Sequence, residues 1–202
     1  ASVLFGKTPE DTFQIAKDLK GKNFQAIKFG WENFGIDLKK DEEHLIAARD
    51  AMENELELMI DVGAIWGTDV EEAKKRFKIF RDANITWLEE PFYSDAFYEY
   101  SELYNKTHLP LAGGESCHSI ESAKNMIRFG KVKFIQIDAG IAGGILAGKE
   151  ICDFAERNNV QYVNHTFTSH LQLSSSLQPY ANSTKSKFSE LSVESSFTKI
   201  NS

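Results

Sequence analysis

Three lone acidic residues each end an apolar run: Asp61 in ELELMIDVG, Glu89 in ITWLEEP and Glu115 in LPLAGGE, 28 and 26 residues apart. That interval is about one strand, one helix and their connections in a repeating βα unit. If the runs are neighbouring parallel strands, all three carboxylates emerge on one rim, at the carboxyl ends. Carboxylates gathered there repel one another unless a cation sits between them, and oxygen-only ligands favour a hard ion such as Mg²⁺. The spacing predicts a metal site at the mouth of a βα repeat.

The rest of the chain keeps the same rhythm. SVLF (2–5), FQAIKF (24–29), LELMID (56–61), ITWLEE, PLAGG, KFIQID and QYVNH read as strands, each followed by a longer amphipathic run. Thr8-Pro9-Glu10-Asp11 caps and opens the first helix. Leu45, Ala48 and Met52 lie at helical spacing in 41–52, and Thr68 with Glu71 forms a capping box for a helix reaching about Ala83. Further helices are expected over 96–106, 119–129, 144–157 and 169–181, with FSELSV (188–193) a candidate eighth strand. Polar residues end at least six strands, which favours a (β/α)₈ barrel over a doubly wound sheet, where they cluster at one switch point. The expected fold is an α/β, TIM-type barrel domain over residues 1–202, incomplete because the last barrel helix is missing.

Composition excludes other classes. No apolar run approaches the roughly 20 residues of a membrane span. A net charge of −7 and no basic, aromatic-interleaved patch argue against nucleic acid. Cys117 and Cys152 lack metal or CxxC spacing and read as reduced structural thiols, which points to a cytoplasmic location. The chain opens at Ala1 on an apolar stretch, so a piece of a longer protein is expected, as is a homo-oligomer.

Lys28 ends the second strand on the rim of Asp61. Facing a metal site, a partly buried amine is expected to have a lowered pKa and to act as a general base. Asp138 ends the sixth strand and His165 the seventh, so a hydrogen-bonded Asp138–His165 dyad able to exchange a proton is expected opposite Lys28. The bland alternatives are a solvated rim lysine and a satisfied histidine. Gly143-Gly144 is either a tight turn or an anion contact at a helix amino end. His170 reads as a supporting residue, while His108 and His118 have no evident partner. Trp31, Trp66 and Phe92, just past strand ends, are candidate pocket walls.

AIKFG, LMIDVG, WLEEP, AGGE, QIDAGIAGG and VNH, in this order and spacing, resemble the barrel domain of the enolase superfamily, in its mandelate racemase and muconate-lactonizing group. The resemblance runs from about Ser2 to Glu194. It implies that Asp61, Glu89 and Glu115 bind Mg²⁺, with Glu89 rather than Glu90 as ligand, and that Lys28 and the His165–Asp138 dyad act on opposite faces of the substrate. Glu190 in FSELSV resembles, more loosely, the acid that hydrogen-bonds the developing enolate. Two positions depart from the family pattern: its K-x-K reads Ala26-Ile27-Lys28, and its D-x-N reads Asp61-Val62-Gly63. The family's amino-terminal α+β capping domain has no counterpart in these residues, so an open barrel mouth with poor turnover is expected.

The chemistry expected is Mg²⁺-dependent abstraction of the α-proton of a small carboxylate through an enediolate, with dehydration of a sugar acid (a hydro-lyase reaction) preferred. Racemisation or epimerisation of a hydroxy acid is the alternative within the class. A non-catalytic metal-binding barrel is the alternative outside it.

Overall fold

The computed structural model describes all residues except 32, 33, 168, 182, 184 and 194–202. Seven strands, β1 (Ser2–Leu4), β2 (Ala26–Gly30), β3 (Glu57–Asp61), β4 (Ile85–Glu89), β5 (Leu111–Gly113), β6 (Phe134–Ile137) and β7 (Gln161–Asn164), pair in chain order, and every pair is parallel. Helices α1 (Pro9–Lys20), α2 (Leu38–Met52), α3 (Val70–Lys75), α4 (Phe77–Asp82), α5 (Phe97–Thr107), α6 (Ile120–Gly130), α7 (Ala139–Ala142), α8 (Ile145–Arg157) and α9 (His170–Leu177) lie between and after them. The result is an incomplete TIM-type barrel, as the alternation of runs predicts. No described helix is long and apolar enough to cross a membrane.

Alternation along each strand explains why the site forms where it does. Met59, Trp87, Ala112, Phe134 and Val163 pack together inside the curl, while their strand neighbours Leu58, Ile60, Leu88, Leu111, Ile135 and Tyr162 join the core under the helices. Side chains two residues apart share a face. The inner face therefore continues from Met59 to Asp61, from Trp87 to Glu89 and from Ala26 to Lys28. Asp61 and Glu89 are register partners, and Gly30 stands opposite Asp61 on the other side. A Cβ at Gly30 would come within 2.9 Å of Asp61 Cβ, so glycine is what lets β2 pass that close. Glu115, three residues past Ala112, is out of phase by alternation alone. The chain leaves strand geometry at Gly114, with φ of 116°, and this turn returns Glu115 to the mouth.

FSELSV makes a single parallel bridge, Ser2 with Ser192, rather than a full strand among the described residues. Ser2 N–H donates to Leu191 O at 2.9 Å on one side. On the other, the Asn164 amide replaces backbone pairing: its Nδ2 donates to Glu190 O at 3.0 Å and its Oδ1 accepts from Glu190 N–H at 2.9 Å. Glu190 thus enters the barrel between β7 and β1.

Local chemistry decides where the expected helices begin and end. Thr8 and Asp11 form the expected capping box of α1. The third helix is instead capped by Asp69, which accepts from the Glu71 and Glu72 N–H groups, and it breaks at Arg76 into α3 and α4. The expected 169–181 helix ends as α helix at Leu177 and tightens to a 3₁₀ turn around Pro179, whose ring nitrogen cannot donate. Cys117 and Cys152 are free and buried.

Candidate functional site

Asp61, Glu89 and Glu115 each offer a carboxylate oxygen, and the three atoms lie within 4.8 Å of one another. Two Mg²⁺–oxygen bonds of about 2.0–2.1 Å span at most about 4 Å. Closing from 4.8 Å needs only a small side-chain adjustment, and the donors are all hard oxygens, so these residues fit a magnesium-type ion. Asp61 Oδ1 accepts from Gly63 N–H at 3.0 Å and Glu89 Oε2 from Trp87 Nε1 at 2.9 Å, which fixes one oxygen of each and leaves the other turned inward.

Two basic side chains serve this acidic cluster. Lys28 Nζ donates to Glu89 Oε1, and lies 3.4 Å from Asp61 Oδ2 and 2.7 Å from Glu190 Oε1. Burial pushes its pKa down, but Glu190, Glu89 and Asp61 together outweigh this and raise it well above the ordinary lysine value. The carboxylates around Lys28 outnumber it and hold the proton on, and the expected lowering needs a cation among them. Burial conversely raises Glu89 well above the usual carboxylate range, with Lys28 opposing. Asp61 is raised by the same burial.

His165 is the second. Its Nε2 lies 3.0 Å from Glu115 Oε2. Burial would lower the His165 pKa, but the Glu115 bond and charge reverse it and raise it; burial likewise pushes Glu115 up, and His165 brings it below the ordinary value. The expected hydrogen bond to Asp138 is absent. Asp138 caps α7, accepting from Gly140 N–H at 2.9 Å and from the Gln172 amide through Oδ1, while His165 Nδ1 is buried without a hydrogen-bond partner among the described residues. An aspartate at a helix start satisfies a free N–H group there, and that local bond holds Asp138 on the helix rather than the imidazole.

The site has members that the sequence reading passed over. Glu90 has φ of 44° and turns away from Glu89, so its carboxylate accepts from Gly114 N–H at 3.0 Å. It thereby ties the end of β4 to the turn that aims Glu115. Burial first, then the Glu115 charge, raise Glu90 to about 7. Its adjacency to Glu89 in WLEEP was the available signal. Gln136 is fully buried with both amide atoms unpartnered among the described residues, and lies two residues past Phe134 on the inner face. Of the expected walls, Trp66 and Phe92 are core residues, and only Trp31 borders the mouth. Phe167, whose ring stands 4.8 Å from that of His165, forms another wall. Gly143 and Gly144 make a tight turn, with Gly144 N–H donating to Ala139 O at 2.6 Å. His170 and His118 are exposed, and His108 is the left-handed cap of α5.

The resulting cavity of about 250 Å³ is bordered by Asp61, Glu115 and His165 on its polar side. A cation held by the three carboxylates would let it take a small anion, with Lys28 and His165 beside it.

Comparison with known proteins agrees with this geometry. A solved structure from Rhodobacter sphaeroides, described as a predicted mandelate racemase, superposes with a TM-score of 0.91 at 39% identity over 96% of this chain and 50% of that one. Among curated proteins, L-talarate/galactarate dehydratase of Salmonella typhimurium is 29% identical over 76% of this chain and 38% of its own. D-galactarolactone cycloisomerase of Agrobacterium fabrum is 27% identical over 79% and 41%. The chain thus spans well under half the length of these curated relatives. The sequence pattern of the enolase C-terminal domain-like family matches residues 12–199. This chain belongs to that family, within the enolase superfamily.

Proposed function

We propose that this chain carries the chemical centre of an enzyme that removes the α-proton of a small carboxylate to form an enediolate, with dehydration of a sugar acid as the reaction. The observation that carries the reading is the convergence of Asp61, Glu89 and Glu115 within 4.8 Å, served by Lys28 and His165. Mg²⁺ is the ion that suits this donor set. When bound, it supplies electrostatic stabilisation for the negative charge that develops on the substrate carboxylate.

The chain's own groups do the rest. Lys28 and His165 are the proton carriers, the first buried and the second half-buried, each adjacent to the cluster. Lys28 can take a proton only when the carboxylates around it are otherwise compensated. His165 Nδ1, buried and unpartnered, leaves Nε2 as the nitrogen that meets the cluster. Glu190, paired with Lys28, is the side chain we assign to the developing enolate. Asp138 orders the α7 turn instead of relaying a proton. The dehydratase relative supports elimination, with one carrier taking the α-proton and the other protonating the departing hydroxyl. Racemisation or epimerisation by the same pair is the second reading, with one carrier taking the α-proton and the other returning one to the opposite face.

The test is ¹H NMR in D₂O with Mg²⁺ and a panel of acid sugars. Dehydration yields a 2-keto acid with solvent deuterium at C3, whereas isomerisation yields α-deuteration without loss of water. Neither signal with any acid refutes the proposal.

A further inference from the structure

Trp31 follows β2 directly and has φ of 64°, a conformation that bulky residues rarely adopt unless their surroundings impose it. Its surroundings do so from two sides. Trp31 N–H donates to Asp61 O at 3.3 Å, and its carbonyl accepts from Phe34 N–H at 3.3 Å. The indole lies over Gly63, where an added Cβ would sit 3.4 Å from three ring carbons. That is ordinary contact, so the glycine that departs from the family's D-x-N pattern is favoured here by its φ of 54° rather than by lack of room. Though anchored, Trp31 is 54% exposed, whereas Trp66 and Trp87 are 6% and 2% exposed.

Trp31 borders the same cavity as Asp61, Glu115 and His165. Val3, Leu4 and Phe167 extend that apolar wall, and beyond the acidic cluster and His165 the polar side chains among the described lining are Ser2 and Ser192. An open-chain polyhydroxy acid needs a partner for each hydroxyl it buries, and such groups left unpaired disfavour binding. A ring presenting a flat face of C–H groups asks only for apolar area, which an indole provides.

We propose that Trp31 is a specificity-determining residue of this cavity, and that the cavity prefers carboxylates whose α-carbon belongs to or carries a ring over open-chain polyhydroxy acids. This rests on the reading of the site as a carboxylate-binding metal centre, and it narrows the sugar acid to one in ring form.

The experiment compares tetrahydrofuran-2-carboxylate with D-gluconate by calorimetric titration of the full chain in Mg²⁺, for the wild type, Trp31→Ala and Trp31→Phe. Mg²⁺ binding is titrated separately. The expected result is at least tenfold tighter binding of the ring acid, lost in Trp31→Ala, with gluconate affinity changed less than twofold and the preference restored by Trp31→Phe. A purely structural role moves both acids together, and that result overturns the inference. Normal Mg²⁺ binding without ring preference overturns it alone, while absence of Mg²⁺ binding overturns the metal-centre reading and this inference with it.

Discussion

Replacing Arg76 by Met should cost this protein about 3–5 kcal/mol, the usual penalty for stripping one partner from a buried ion pair. Arg76 and Asp41 are each 1% exposed. Arg76 Nε donates to Asp41 Oδ2 at 2.6 Å and Nη2 to Gly35 O at 2.8 Å, while Asp41 Oδ1 accepts from Gly35 N–H at 2.9 Å. Without the guanidinium, the carboxylate keeps one N–H partner and no countercharge. For a chain of this size each kcal/mol shifts the melting temperature by roughly 2–4 °C, so a fall of about 6–20 °C is expected. The double variant Asp41→Leu/Arg76→Met removes both charges and should recover much of the loss, because isolated charge, rather than the missing attraction, dominates the cost. The clamp also bears on the site. Gly35 closes the loop that carries Trp31, so Arg76→Met should make Trp31 more accessible to acrylamide quenching. Urea unfolding of the four proteins measures the coupling. A single variant within about 1 kcal/mol of wild type, or strictly additive singles, refutes the reasoning.

Three further outcomes are expected. Gly30→Ala places a Cβ 2.9 Å from Asp61 Cβ and 3.1 Å from its carbonyl oxygen, so β2 or β3 must move; Mg²⁺ affinity should fall at least tenfold by calorimetry, with a stability loss of about 1–3 kcal/mol. Lys28→Met removes the ammonium that competes for Asp61 and Glu89, so Mg²⁺ should bind about tenfold tighter, worth about 1.4 kcal/mol, while α-proton exchange disappears; weaker binding would contradict this role for Lys28. Burial lowers the His44 pKa below 6.5, against the pull of Asp41 and neighbouring acids, so the unfolded chain takes up a proton first as pH falls. Stability should decline from pH 6.5 downward through the folded-state value and be flat above it. His44→Gln should lessen this decline between pH 7.5 and 5.5 in urea titrations, and an unchanged pH slope would rule His44 out.

What the sequence conveys about this molecule depends on how local the determining physics is. Strand alternation and βα spacing are short-range, so the order of strands and the meeting of Asp61 with Glu89 can be read directly from apolar runs. Glu115 could be placed only by its position in the repeat, since its final aim depends on the turn at Gly114. Asp138 illustrates the limit. Whether it bonds an imidazole or a helix start depends on Gly140 beside it and on Gln172, 34 residues along the chain, and no spacing rule encodes that competition. The pKa of Lys28 is likewise set by three carboxylates from three other segments, Asp61, Glu89 and Glu190, which raise it, and no spacing rule gives their balance against a cation. Trp66 and Phe92 were equal candidates with Trp31 because all follow strand ends, yet Trp66 Nε1 donates to Gly35 O at 2.9 Å deep under the loop.

The most direct test of the central claim is α-proton exchange of an acid substrate in D₂O, followed by ¹H NMR with and without Mg²⁺, for wild type and for Glu89→Gln. Glu89 joins the proposed ion site to Lys28, so its neutral isostere keeps the fold while removing a ligand charge. The account expects Mg²⁺-dependent exchange in the wild type and its loss, by at least a hundredfold, in Glu89→Gln. Exchange that proceeds equally without Mg²⁺, or unchanged in Glu89→Gln, would contradict it.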